Sequence, residues 1–285
     1  MAAILAPTNA DRPAAARAIA TFHHAEFSLE QLYSAKKAHH VTVHVIIPAR
    51  DEQATIGEIV RVVRDELMVA IPLVDELIVV DDASIDQTAA IAGRQGASVV
   101  PGPGLGKGEA MTAALPALAL SAPSASSALI VFLDGDVLEF GARFVSGLLG
   151  PLLCHEGIDF VKGCYRRPIG GRPAGGGRVT ELVAKPSLGL FFPELAEVDQ
   201  PLAGETAMRA SLLSELELAG GYAVEVAMLI DAYELRGPGA IAQVDLGERR
   251  HRNRSLAELV PQAAAVLGTV IDRAGLRSSH PRTGS

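Results

Sequence analysis

Short apolar runs alternate along the first half of the chain with stretches in which apolar residues recur every three or four positions. The run 41–47 is β-branched and stops at Pro48, which predicts a buried strand feeding a loop. From Arg50 a helical pattern extends to Leu67. Leu77 to Val80 predicts a second strand, ending in Asp81 and Asp82; 84–88 can cap a helix reaching Gln95, and 98–100 is a short strand. A glycine-rich loop, 104–108, opens another helix, and 129–133 is a further strand closed by acids. This order predicts an α/β fold with a mostly parallel sheet covered by helices on both faces. Ligands in such sheets sit beyond the carboxyl ends of the strands. Pro48 to Glu52, Asp81 with Asp82, and Asp134-Gly135-Asp136 each follow a strand directly, so one rim is expected to carry all three.

After Phe144 the pattern changes. The segment 165–177 reads as loop, too glycine-rich for helix or strand. Helices are expected over 181–192, despite Pro186, and over 225–235, where an amphipathic pattern turns Asp231 and Glu234 to solvent. A late strand, 242–246, would deliver Arg249 and His251. The expected organisation is an N-terminal lead (1–40, loosely helical to residue 20), a nucleotide-binding part (41–140), the remainder of the same catalytic unit (141–278) and a disordered tail (279–285).

Composition narrows the function. A chain of 285 residues buries one substantial core. A net charge of −8, 4% aromatics and no Trp provide neither a basic footprint nor a stacking platform, so no nucleic-acid partner is expected. The weakly polar run 110–133 is broken by Pro116 and Pro123, so no membrane span is expected either; the run reads as helix, flexible connector and strand. Two cysteines, Cys154 and Cys164, are too few for a disulfide framework and read as packing residues in a reducing cytoplasm. The pairs His23-His24 and His39-His40 receive no function.

Asp134 and Asp136 stand two residues apart at a strand end, where carboxylates can share a hard cation that bridges a diphosphate; Mg²⁺ and Mn²⁺ favour such oxygen ligands. A tight turn accounts for the same tripeptide. His251 can complete a metal shell or lie on the surface among its arginines. Lys107 in the 104–109 loop can meet phosphate, although Gly108 after the lysine excludes a Walker A motif, and a helix-opening turn explains the same glycines. The run 175–180 offers backbone N–H groups, the Arg178 guanidinium and the Thr180 hydroxyl at a helix start, suited to a phosphate or carboxylate, or to a hinge. Glu225 can orient an acceptor, act as a base or answer the helix dipole.

Taken together, the motifs 47–52, 80–84, 106–110, 134–136, 165–168, 175–182, 200–205, 221–225 and 251–253 resemble the glucosyl-3-phosphoglycerate synthase family, retaining metal-dependent transferases of GT-A fold from actinobacteria. The resemblance spans Val41 to Arg254. It implies that Pro48, Ala49, Arg50, Glu52, Asp82, Lys107, Asp134, Gly135 and Arg249 surround a UDP- or GDP-sugar, and that Asp136 and His251 hold Mg²⁺ or Mn²⁺. Gly177, Arg178, Val179, Thr180, Gly204, Tyr222 and Asn253 would bind a small anionic acceptor such as 3-phosphoglycerate, with Glu225 and Lys107 in catalytic roles. A cytoplasmic homodimer joined through the late helices is also expected.

Departures from the family pattern leave a second reading open. Gly135 stands where the family has Ser, Ala223 where it has Gly, and Thr206 where it has a Tyr expected beside the sugar or acceptor; the loop between Pro168 and Gly175 is short, and the usual C-terminal extension is missing. The alternative is a secondary-metabolite tailoring transferase with an amino-acid-like or thiol acceptor. A nucleotide-binding protein without transfer and a nucleotidyltransferase fit less well; the latter is expected to carry a glycine-rich, Arg/Lys-bearing loop directly after its first strand, and 48–52 lacks those glycines.

Overall fold

A computed structural model of the chain describes residues 18–121, 127–169, 172–174, 177–249 and 256–276. The alternation in the first half folds as expected. Strand β1 (Ala20–His23) and helix α1 (Leu29–His39) precede β2 (Thr42–Ala49). Then follow α2 (Ile56–Val62), continued by wider π-type turns (Val63–Ala70), β3 (Glu76–Asp81), α3 (Thr88–Gln95), β4 (Ser98–Pro101), α4 (Lys107–Ser121) and β5 (Ala128–Phe132). The second half adds α5 (Arg143–Cys154), β6 (Phe160–Ile169), β7 (Arg172–Ala174), α6 (Lys185–Phe191), β8 (Thr206–Arg209), α7 (Ala210–Leu213), α8 (Val224–Arg236), β9 (Ile241–Glu248) and α9 (Leu256–Arg273).

The sheet runs β1-β9-β6-β8-β5-β2-β3-β4, with β7 paired to β6. Contacts β1/β9, β9/β6, β5/β2, β2/β3 and β3/β4 are parallel, whereas β8 runs antiparallel to both β5 and β6. Apolar residues alternate between its two faces. Val43, Val45 and Ile47 of β2 pack with the inner sides of α1, α2 and α5. Ile46 of the same strand joins Phe132, Phe160 and Met208 beneath α4, α6, α8 and α9. This two-sided cover is what the continuous apolar runs require.

Four expectations change. Residues 20–39 are not a loose lead: β1 is an edge strand on β9, and Ser28 caps α1 in a reciprocal box with Gln31. The signal was weak because four strand residues of mixed polarity carry no clear period. Tyr165 to Pro168 is not loop but the end of a ten-residue strand, paired across Arg166 and Glu248, and β7 folds back on it. Helix α8 is buried from Val224 through Ile230 rather than amphipathic, because α9 covers its outer side; Asp231 accepts from Arg273 at 2.6 and 2.9 Å instead of facing water. Cys164 is buried, as a packing role requires, but Cys154 is exposed.

Candidate active site

Parallel register brings the expected polar segments to one rim. Ala49 is opposite Asp81, and Ile46 is opposite Phe132, so the residues after β2, β3 and β5 emerge at one level. Hydrogen bonds from backbone N–H groups strap the first two together: the Asp51 N–H donates to Ser84 Oγ at 3.0 Å, Ile85 N–H to Asp51 Oδ1 at 2.8 Å, and Glu52 N–H to Thr88 Oγ1 at 2.8 Å. Thr55 Oγ1 donates to the Gly135 carbonyl at 2.6 Å and so ties the third segment to the start of α2. Asp82 is buried, and both of its carboxylate oxygens accept from the glycine loop, from Gly104 N–H at 2.6 Å and Gly106 N–H at 3.0 Å. Arg50 donates to the Gly104 carbonyl at 3.2 Å.

The loop so held delivers Lys107 as the first residue of α4. Its Nζ lies 2.5 Å from Asp134 Oδ1 and 2.7 Å from Oε1 of Glu225, which stands in the first turn of α8. Burial by itself would lower the Lys107 ammonium, but Asp134 and Glu225 outweigh it and hold its pKa well above the ordinary value. The same balance acts in reverse on Asp134. Burial disfavours its charge, yet Lys107 and Arg249 keep its carboxyl far below the usual range.

Close backbone approach fixes this pair. A Cβ at Gly204 would sit 1.9 Å from Asp134 Oδ1 and 2.5 Å from Lys107 Nζ, so only glycine fits behind them. A Cβ at Gly108 would meet the Ala219 carbonyl oxygen at 1.9 Å, which shows how tightly the start of α4 packs on the turn before α8. Glu109 completes that junction by accepting from Gly221 N–H at 2.9 Å.

Arg249, just beyond β9, gathers the remaining carboxylates. Its Nη1 donates to Asp134 Oδ2 at 2.9 Å, to Tyr165 Oη at 2.8 Å and to Glu205 Oε1 at 2.7 Å, while Nη2 reaches Asp136 Oδ1 at 2.7 Å. Burial opposes the guanidinium charge, but Glu205, Tyr165 and the two aspartates raise its pKa well above normal. Glu205 itself is fully buried, and that burial raises its pKa despite Arg249. Glu205 Oε2 and Arg249 Nε are buried without a hydrogen-bond partner among the described residues.

Of the residues singled out in the sequence, Pro48, Ala49, Arg50, Glu52, Asp82, Lys107, Asp134, Gly135, Asp136, Gly204, Glu225 and Arg249 therefore converge on or directly behind one rim. Gly177 to Thr180 open the helical stretch that leads into α6; the Arg178 side chain is exposed, whereas Val179 and Thr180 are buried and Val179 packs in the core. Tyr222 is half exposed at the turn before α8. His251 and Asn253 lie outside the described residues, and among those described no three His, Cys, Asp or Glu residues form a metal-binding group. Thr206 does not face a sugar or acceptor surface: it is fully buried and accepts from Lys162 Nζ at 3.1 Å. Sequence reading missed Glu205, Tyr165, Glu109 and Lys162 as parts of this assembly. The first three lay inside quoted motifs, and only Lys162, a lone charge in an apolar run, offered a signal of its own.

Comparison with known proteins shows the family. Residues 44–167 match the family profile "Glycosyl transferase family 2". The chain is 43% identical over 250 residues to glucosyl-3-phosphoglycerate synthase of Mycolicibacterium smegmatis, covering 84% of this chain and 79% of that protein. It is 40% identical over 266 residues to the synthase of Petrotoga mobilis, covering 89% and 80%. The crystal structure of the Mycobacterium tuberculosis synthase with Mn²⁺, UDP-glucose and phosphoglyceric acid aligns with a TM-score of 0.79 at 41% identity, over 92% of this chain and 89% of that one. With an open sheet of GT-A type, a charged rim at its strand ends and similarity along nearly the whole chain, this protein belongs to the glucosyl-3-phosphoglycerate synthase family of glycosyltransferases.

Proposed function

We propose that this glycosyltransferase moves glucose from UDP-glucose to 3-phosphoglycerate, with retention at the anomeric carbon and with Mg²⁺ or Mn²⁺ bound. The observation that carries the reading is its similarity, across both halves of the chain, to a synthase solved with Mn²⁺, UDP-glucose and phosphoglyceric acid, and also with Mg²⁺ and UDP. The buried position of Thr206 removes the main reason for preferring a secondary-metabolite acceptor, since this departure lies in the core.

In this reading, Pro48, Ala49, Arg50, Glu52, Asp82, Lys107, Asp134, Gly135 and Arg249 form the donor side, and 177–180, Gly204, Tyr222 and Asn253 the acceptor side. Asp136 would hold the cation together with His251. The chemistry of the site suits a hard cation: the Asp136 side chain is 41% exposed at the rim and offers oxygen donors. When bound, such an ion neutralises charge developing on the departing diphosphate. Lys107 adds a fixed ammonium to the same end, already oriented by two carboxylates and therefore needing little reorganisation. Glu225 faces sugar and acceptor and orients them. Retention follows if the acceptor hydroxyl attacks from the leaving-group face and passes its proton to the departing phosphate.

The division into a donor part (41–140) and an acceptor part (141–278) of one domain is supported by β8 and β9, which enter the same sheet as β2 to β5. Homodimerisation through the late helices is supported by the exposed Val260 and Leu267 of α9 and Leu190 of α6. Residence in the cytoplasm is supported by two unpaired cysteines; among the described residues no helix is long and apolar enough to cross a membrane.

The test is incubation of the purified chain with UDP-glucose, 3-phosphoglycerate and Mn²⁺ or Mg²⁺, with the product identified by mass and its anomeric configuration by proton NMR. An α-linked glucosylated phosphoglycerate is expected. Preference for GDP-glucose, or donor consumption without transfer to this acceptor, would overturn the assignment.

A further inference from the structure

Lys162 has no task in the transfer described above. It lies in β6 between two neighbours, register-paired with Thr206 of β8 and Gln243 of β9, and is 0% exposed. An ammonium is expensive to bury unless it is paired with an opposite charge. Among the described residues, however, its Nζ donates to the neutral Thr206 hydroxyl, at 3.1 Å, and to no carboxylate. Something other than local pairing accounts for a charge at this place.

The surrounding charges give the reason. Glu225, Lys107, Asp134, Arg249 and Glu205 form an array of alternating sign, linked by contacts of 2.7, 2.5, 2.9 and 2.7 Å. Both ends of the array are carboxylates. Burial lowers the Lys162 pKa to about 8, while Glu225, Glu205 and Asp134 favour its charge and Lys107 opposes it. Geometry places it there: Lys162 stands two residues after Phe160 on the sheet face that α4 and α8 cover, the helices carrying Lys107 and Glu225, and its partner Thr206 directly follows Glu205.

We propose that Lys162 is a positioning residue for glucosyl transfer, a buried cation that closes the alternating array from beneath and keeps Glu225 turned to Lys107 and Glu205 turned to Arg249. Thr206 fixes the position of its ammonium. The proposal rests on the transferase reading above, and it separates from a plain packing role by what happens when the charge alone is removed.

The experiment is Lys162→Met in the full-length chain, with Mn²⁺ present. Transfer to 3-phosphoglycerate and hydrolysis of UDP-glucose without acceptor are both followed, beside thermal unfolding from pH 7 to 10. Turnover is expected to fall about tenfold with KM for both substrates within about twofold of the parent, since an ordering role is expressed at the transition state. Stability is expected to hold or rise, because a buried cation has been replaced by an apolar chain. The folded-state pKa is lowered, so the burial cost is full below about pH 8 and fades toward the unfolded value of about 10.4; the Met variant's advantage should shrink over that interval. Turnover within about twofold of the parent would overturn the proposal. If Lys162→Met fails to fold, Thr206→Val, which removes the hydroxyl at nearly constant volume, must lower turnover severalfold or the idea falls. A parent that hydrolyses donor but leaves 3-phosphoglycerate untouched overturns only the acceptor assignment, and the hydrolysis rates then decide the role of Lys162.

Discussion

Two sets of polar residues sit side by side at the strand ends and are satisfied in opposite ways. Between β2 and β3, Asp51, Ser84, Asp86 and Thr88 are met by backbone N–H groups and hydroxyls: Asp86 accepts from Thr88 N–H at 2.9 Å and from Gln53 N–H at 3.1 Å. At Asp134 and Asp136 the partners are instead cations brought from α4 and from beyond β9. Strapping by backbone N–H and hydroxyl groups fixes the backbone and brings no cation to these carboxylates. Charge pairing holds side chains in place by interactions that a diphosphate or a metal ion can compete for, which is the property a reacting site needs.

That contrast can be tested by substitution on each side. Asp136→Ala removes the proposed metal carboxylate and should lower transfer by about 10³-fold while thermal unfolding stays close to that of the parent, read by turnover and by calorimetric titration with Mn²⁺ and UDP. Gly204→Ala drives a methyl into the Asp134–Lys107 contact; a displacement of that size should cost about 100-fold in turnover, and an unimpaired enzyme would show that this pair need not be held. Glu109→Ala releases Gly221 and with it the start of α8, so turnover should drop by about tenfold, with Glu109→Gln recovering most of the loss because its amide oxygen can still accept. Asp86→Ala, on the strap, should lower Tm by about 2–4 °C without changing turnover per folded molecule. Should Asp86→Ala damage catalysis as much as Glu109→Ala does, the division between strap and array would collapse.

Much of the rim was legible because its signals are local. An apolar run ending in Pro48, a second ending in Asp81 and Asp82, and a third ending in Asp134 to Asp136 each announce a strand with chemistry at its carboxyl end. Lys107 was legible for the same reason, standing in a glycine loop that opens a helix. Arg166 and Pro168 misled because a strand end and the turn after it contain the same residues, and the choice depends on pairing with β9 and β7. Glu205 was hidden because burial of a charge cannot be read from its neighbours in sequence, and Lys162, although set in an apolar run, gave no sign of which charges it would meet.

The sequence by itself determined the alternation of strands and helices, the parallel character of the sheet and the placing of acids at its rim, since hydrophobic period and turn chemistry act over a few residues. Only the tertiary structure decided which charge answers which. Arg249 meets Asp134 and Asp136 across more than a hundred residues of chain, and Lys107 meets Glu225 across the packing of α4 on the turn before α8. Such pairings depend on strand order and on the close approach that Gly108 and Gly204 allow, and neither is encoded in any single segment.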